Sequence, residues 1–262
     1  MALAELLRDP ATGIATLTVN RPQVLNALDV PSARAIAQAL APLRGDSSVR
    51  CIVLRGAGRA FVAGGDLARF ADDFDGAADV ADELLDAMHA AVETLSGHDA
   101  PVLASVHGAV AGAGLSLMAG CDLVIAAEGT RFLLAYDRVG AAPDCGGTYF
   151  LPRILGPRRA AEFMFLGESW DAATALAAGL VNRVVPAAAL AGETAKLAAK
   201  LASGPTRAFG MYKALAAQSY RTTLGEHLEL ERAAFKAATR TRDFREGVGA
   251  FLARRPMQFR GE

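Results

Sequence analysis

The chain has 262 residues, a formal net charge of −1, 52% hydrophobic and 21% charged residues, and three cysteines. It is long enough for one large globular domain or a domain with an appendage, and too apolar to be disordered. The charge balance argues against a nucleic-acid binder, and the odd set Cys51, Cys121 and Cys145 fits a reduced, cytoplasmic protein better than a disulfide framework.

The first residues carry Glu5, Arg8 and Asp9 and do not read as a signal peptide. Residues 13–19 alternate as a strand, and Pro22 ends it. Pro31 opens an amphipathic helix over 32–43, with Ala35, Ile36, Ala39, Leu40 and Leu43 on one side. An apolar strand at 51–55 leads into a small-residue turn, Arg59-Ala60-Phe61-Val62-Ala63-Gly64-Gly65-Asp66-Leu67. Residues 70–79 include Asp72, Asp73, Asp75 and Asp79 and read as a solvated, mobile surface segment. Residues 80–95 repeat apolar side chains at helical spacing, with His89 beside the stripe.

A strand at 102–106 leads into a second turn, His107-Gly108-Ala109-Val110-Ala111-Gly112-Ala113-Gly114-Leu115. Its small side chains mean that something approaches this backbone closely, or that the backbone turns where a Cβ would clash. The uncharged run 108–121 is too short to cross a bilayer and is expected in the core. A helix near 113–119, strands at 122–126 and 132–134, a turn at 143–148, and helices at 158–166 and 171–179 follow, with Asp171 as N-cap and Gly179 as stop. A strand over 180–185 ends at Pro186. Beyond it the pattern is helical only, at 188–202, 205–219, 222–239 and 243–253. Strand–helix alternation followed by helices predicts an α/β core with a helical appendage, and Ser203-Gly204-Pro205 divides the chain into 1–203 and 204–262.

Both glycine turns follow a strand, and each leaves N–H groups without an intrinsic partner. Each alone could be a packing turn. Together they can offer one N–H apiece to a single oxygen that becomes negative during reaction. With Thr18-Val19-Asn20-Arg21-Pro22, Asn26-Ala27-Leu28, Cys121-Asp122, Pro143-Asp144-Cys145-Gly146-Gly147-Thr148 and Ala178-Gly179-Leu180-Val181 in order, the chain resembles the crotonase (enoyl-CoA hydratase/isomerase) superfamily over nearly its whole length.

The resemblance implies a spiral core of ββα turns and a C-terminal helical region that packs homotrimers, often paired into hexamers. It implies an acyl-CoA thioester as substrate, with CoA part of that substrate and no separate cofactor or metal. The oxyanion donors would be the N–H groups of Gly65 and Ala113. Alanine stands at 113 where the family usually has glycine, which is tolerable at a helix start with negative φ. Ala63, Gly64, Asp66 and Leu67 would border the CoA arm, and Arg59 would meet a CoA phosphate or be a solvated surface arginine. Asp66 and Asp122 read as structural, satisfying loop N–H groups.

The family's hydratases carry two glutamates, at the positions of Ser116 and Tyr136 here; Asp137 is one residue out of register and, in a strand, would face away. Asp144 instead stands where hydratases have glycine, in a turn that resembles that of ring-1,2-epoxyphenylacetyl-CoA isomerases and related enoyl-CoA isomerases, whose base is this aspartate. Its other reading is an N-cap for a helix starting at 145 or 146. Aryl-CoA dehalogenases of the superfamily pair such an aspartate with a helix-borne histidine; His89 is placed for that role or simply lines the pocket or core. The expectation is an acyl-CoA isomerase, with a 2-enoyl-CoA hydratase and a non-catalytic acyl-CoA-binding homologue as the alternatives.

Overall fold

A computed structural model describes residues 2–262. An antiparallel hairpin of β1 (Ala4–Asp9) and β2 (Ile14–Val19) begins the fold. The sequence does not announce β1, because that strand is largely exposed and carries no clean alternation. α1 (Val30–Leu40) starts two residues before the predicted 32, at a capping box in which the Asp29 carboxylate accepts from the Ser32 N–H and the Ser32 hydroxyl accepts from the Asp29 N–H. The predicted last turn, 41–43, tightens to a 3₁₀ turn. β3 (Cys51–Gly56) follows as predicted.

The 70–79 segment is a correction. α2 (Leu67–Ala71) and α3 (Ala77–Ser96) take half of it, leaving a connection over 72–76. Asp73 accepts from the N–H groups of Asp75 and Gly76, so the aspartates build a tight turn between two helices.

The chain continues through β4 (Val102–Val106), β5 (Ala109–Ala111), α4 (Ala113–Ala119), β6 (Leu123–Ala127), β7 (Arg131–Leu133), α5 (Gly147–Leu155), α6 (Pro157–Phe165), β8 (Trp170–Asp171), α7 (Ala172–Ala177) and β9 (Arg183–Val185). Asp171 caps α7 as predicted. The expected strand over 180–185 shrinks to its last three residues, since Leu180 and Val181 leave the end of α7 for the core. α8 (Leu190–Ala202), α9 (Thr206–Gln218), α10 (Leu224–Ala238) and α11 (Arg242–Leu252) complete the chain.

The principal sheet runs β1-β2-β3-β4-β6-β9 and is parallel after the first pair; β5, β7 and β8 form a second, smaller sheet. β4, β5 and α4 form one ββα turn, and β6, β7 and α5 the next. The earlier turns follow the same scheme with the second strand reduced to single bridges, Val62 with Val110 and Leu28 with Gly65. The repeat is therefore structural and invisible as a sequence period.

β3 shows why its run is continuously apolar. Ile52 and Leu54 enter the main core, while Cys51 and Val53 join Leu103, Ile125, Leu197 and Ala198 beneath α8. Beyond α8, Lys213 pairs with Asp122 at 2.8 Å, and Arg50 donates to the Thr206 hydroxyl and the Gly204 carbonyl at 2.6 Å each, tying the C-terminal helices to the sheet. α10 has no buried residue. Among the described residues no helix is long and apolar enough to cross a membrane.

Candidate active site

The first glycine turn is held from below by two residues. Asn26, fully buried with φ +59°, directs its amide at the carbonyls of Ala57, Ala60 and Phe61 at 2.8–2.9 Å, and its Oδ1 accepts from the Arg21 N–H at 2.7 Å. The Arg21 guanidinium, also buried, meets Asp29 at 3.0 Å and Asp66 at 3.1 Å. The Asp66 carboxylate is thus turned to Arg21, and its N–H donates to Leu28; the structural reading of this residue is the one its contacts fit. Asp122 likewise accepts from the Val102 N–H and pairs with Lys213.

The second turn lies directly on the first. The Ala111 N–H donates to the Val62 carbonyl at 3.0 Å. A Cβ on Gly114 would stand 2.2 Å from that same oxygen, and one on Gly112 would stand 3.3 Å from the Gly64 Cα. Backbone meets backbone here, which is the physical reason for the small side chains of both turns. Gly65 and Ala113 each follow one member of the touching pair Gly64–Gly112. Ala113 opens α4 with negative φ, as its side chain requires. Neither the Gly65 nor the Ala113 N–H has a hydrogen-bond partner among the described residues. Ala63 is half-buried and Leu67 exposed beside this junction. Arg59 is exposed and makes no ion pair among the described residues, which leaves its guanidinium open to solvent or to an anionic ligand.

Ser116 lies one helical turn beyond Ala113 on α4 and is fully buried. Its Oγ is 3.4 Å from the Tyr136 hydroxyl, which in turn donates to Asp144 Oδ1 at 2.6 Å. Burial pushes the Tyr136 phenol well above its usual range, and the neighbouring Asp144 carboxylate adds to that, so the phenol remains a proton donor. The positions that hold glutamates in the hydratases are therefore joined, through a serine and a tyrosine, to the aspartate. No periodicity links positions 136 and 144; the contact arises because 136–138 is a 3₁₀ turn and the loop after it folds back. Asp137, expected to face away from a strand, also faces away from this turn: it is exposed and packs against Gly167.

The N-cap reading of Asp144 is a correction. α5 begins at Gly147 with Gly146 as its N-cap in the left-handed region, and it is the Asp144 backbone carbonyl that accepts from the Gly147 N–H. The Asp144 side chain is half-buried and bonds to Tyr136 instead. His89 is exposed on α3 and no hydrogen bond joins it to Asp144. Among the described residues no group of three or more His, Cys, Asp or Glu side chains is arranged to hold a metal ion.

Two unpartnered backbone N–H groups thus lie where two ββα turns touch, and a carboxylate is tied through Tyr136 and Ser116 to the helix that one of them begins. The family model for enoyl-CoA hydratase/isomerase matches residues 9–262, and the chain belongs to this family. It is 39% identical over 251 residues to the 1,2-epoxyphenylacetyl-CoA isomerase of Escherichia coli, covering 95% of this chain and 96% of that one. It is 38% identical over 252 residues to a protein of Rhodobacter capsulatus named "Probable enoyl-CoA hydratase", covering 95% of each. Among solved structures, an enoyl-CoA hydratase from Polaromonas sp. JS666 superposes with a TM-score of 0.91 at 32% identity, covering 98% of this chain and 99% of that one.

Proposed function

We propose that the protein is an acyl-CoA isomerase that moves a double bond, or rearranges the acyl group, through a thioester enolate. The thioester oxygen rests on the N–H groups of Gly65 and Ala113, and Asp144 is the base. For a 3-enoyl thioester, Asp144 takes a proton from C2; the C2–H electrons pass into a dienolate whose negative oxygen is held by the two donors. The same carboxylic acid then delivers its proton to C4, which leaves the double bond between C2 and C3 and restores the carbonyl. Each oxyanion donor is worth ~3 kcal/mol of transition-state stabilisation. CoA enters and leaves as part of the substrate, with Ala63, Gly64 and Leu67 beside its arm and Arg59 at a phosphate.

The observation that carries this reading is that Ser116 and Tyr136, where the hydratases hold carboxylates, offer hydroxyls, and that Ser116 meets Tyr136, which in turn donates to the carboxylate of Asp144. Hydration needs a water activated on one side and a proton delivered on the other; a 1,3-proton shift needs one base that gives back what it takes. The likeness to an isomerase from Escherichia coli supports the same choice. The test compares kcat/KM for 3-enoyl-CoA isomerisation and 2-enoyl-CoA hydration at equal chain length, in the wild type and in Asp144→Asn. Isomerisation is expected to dominate, and the variant to lose 10²-fold or more in kcat while binding CoA esters within a few-fold. Hydration as fast as isomerisation would return the protein to the hydratases named among its relatives, and turnover of neither ester would remove the double-bond shift and leave rearrangement or binding alone, which a wider panel of CoA esters with product analysis separates.

A further inference from the structure

We infer that Tyr136 is the positioning residue of Asp144, fixing one carboxylate oxygen so that the other alone carries the proton. The inference rests on the reading of Asp144 as the base and adds what aims it.

Three contacts make the case. The Tyr136 hydroxyl meets Asp144 Oδ1 at 2.6 Å, and beside a carboxylate the single phenolic proton has one place to go. The Ser116 hydroxyl lies 3.4 Å behind the phenol oxygen and is itself hemmed in by α5, since a Cβ on Gly147 would stand 2.5 Å from Ser116 Oγ. Ser116 sits on the same helix that begins at Ala113, so the line Ala113–Ser116–Tyr136–Asp144 ties the base to an oxyanion donor. Tyr136 is buried, and the charge that acts on it is that of Asp144. The other titratable neighbour, the Cys145 thiol, is pushed upward by burial and stays neutral.

The consequence is a carboxylate with two unlike oxygens. Oδ1 is occupied by a donor that does not ionise. Oδ2 is left to receive the C2 proton and hold it until C4 is presented, and the phenol opposes the ring-like rotation of the carboxyl that would exchange the two oxygens.

The test is Tyr136→Phe, which keeps the ring and removes the hydroxyl, assayed by 3-enoyl-CoA isomerisation with Asp144→Asn in parallel. The expected result is a kcat lowered about 10–100-fold with KM within a few-fold. A merely structural tyrosine would raise KM and lower the melting temperature along with any loss of kcat, whereas a positioning one lowers kcat alone; a kcat within two-fold of wild type overturns the inference. If Asp144→Asn retains activity, the base itself is misassigned; if it is inactive while Tyr136→Phe keeps the wild-type kcat, only the role of Tyr136 fails. Should Tyr136→Phe not fold, 3-fluorotyrosine placed at 136 keeps ring and hydroxyl but donates more strongly. The more tightly held carboxylate is a weaker base, so kcat should then fall several-fold with KM within a few-fold, and an unchanged kcat overturns the inference equally.

Discussion

Gly114→Ala separates two demands on one residue. Gly114 lies in the first turn of α4 without a positive φ, so helix propensity alone predicts a gain of about 1 kcal/mol for alanine. Its surroundings predict the opposite. The new Cβ would stand 2.2 Å from the Val62 carbonyl oxygen and 2.6 Å from the Val62 Cβ, where ordinary contact begins at 3.4 Å. Something must move by about 1 Å, and the direction of that movement drives α4 from the first turn at Val62, breaking the 3.0 Å bond from Ala111 to Val62. Gly65 is on one side of the widened gap and Ala113 on the other. Misplacing a reacting group by that much costs on the order of 10²-fold, and overpacking costs about 1–3 kcal/mol. The expected outcome is a kcat for 3-enoyl-CoA isomerisation lower by about 10²-fold, with a melting temperature lower by a few degrees. Gly192→Ala in α8, where a new Cβ meets nothing within 4 Å, should instead raise the melting temperature and leave turnover alone. A Gly114→Ala enzyme with wild-type kcat/KM would refute the claim that these two turns act as one cradle.

Arg21→Met should lower stability by about 3–5 kcal/mol in urea titration, because Asp29 and Asp66 would face each other without their shared cation; an unchanged midpoint would contradict this. The protein should scatter light as a trimer or hexamer, since Leu224, Leu228 and Phe235 of α10 and Phe251 and Leu252 of α11 lie exposed, and a monomer at micromolar concentration would be the contrary result. Burial, helped by the Lys213 ammonium, holds His98 below the usual imidazole range. Below about pH 6.5 the unfolded chain gains a proton that the folded chain resists, so stability falls with pH from there until the folded imidazole also titrates. His98→Asn, which keeps an acceptor for the Ala100 N–H, should narrow the gap in melting temperature between pH 7.5 and 5.5; an equal gap would show that His98 is not responsible.

The strands at 51–55 and 102–106 and the helix over 80–95 were legible because both their burial and their periodicity are strong, and the small residues of the two turns announced a close backbone approach. What the close approach was to could not be read, since Gly64 and Gly112 are far apart in the chain. The helix start at Val30 was missed because Asp29 and Ser32 cap it through side-chain geometry rather than through pattern. The relation of Tyr136 to Asp144 left no local signal, as it crosses an irregular loop. Arg21 and Asn26 stood in a recognisable motif, but their work as supports of the first turn shows only in three dimensions.

The principal sheet has a consequence in time. Its strands join in the order in which the chain presents them, β1, β2, β3, β4, β6 and β9, each pairing with a strand already made. A nascent chain can therefore extend the sheet from its finished side without waiting for a distant partner. Arg50 is the exception: its acceptors at Thr206, Gly204 and Phe259 lie 156, 154 and 209 residues downstream. At about 5–20 residues per second of synthesis, its guanidinium waits roughly ten to forty seconds for them. Until β9 pairs with β6 the newest strand is an open edge, so the vulnerable species during birth is a half-wound spiral.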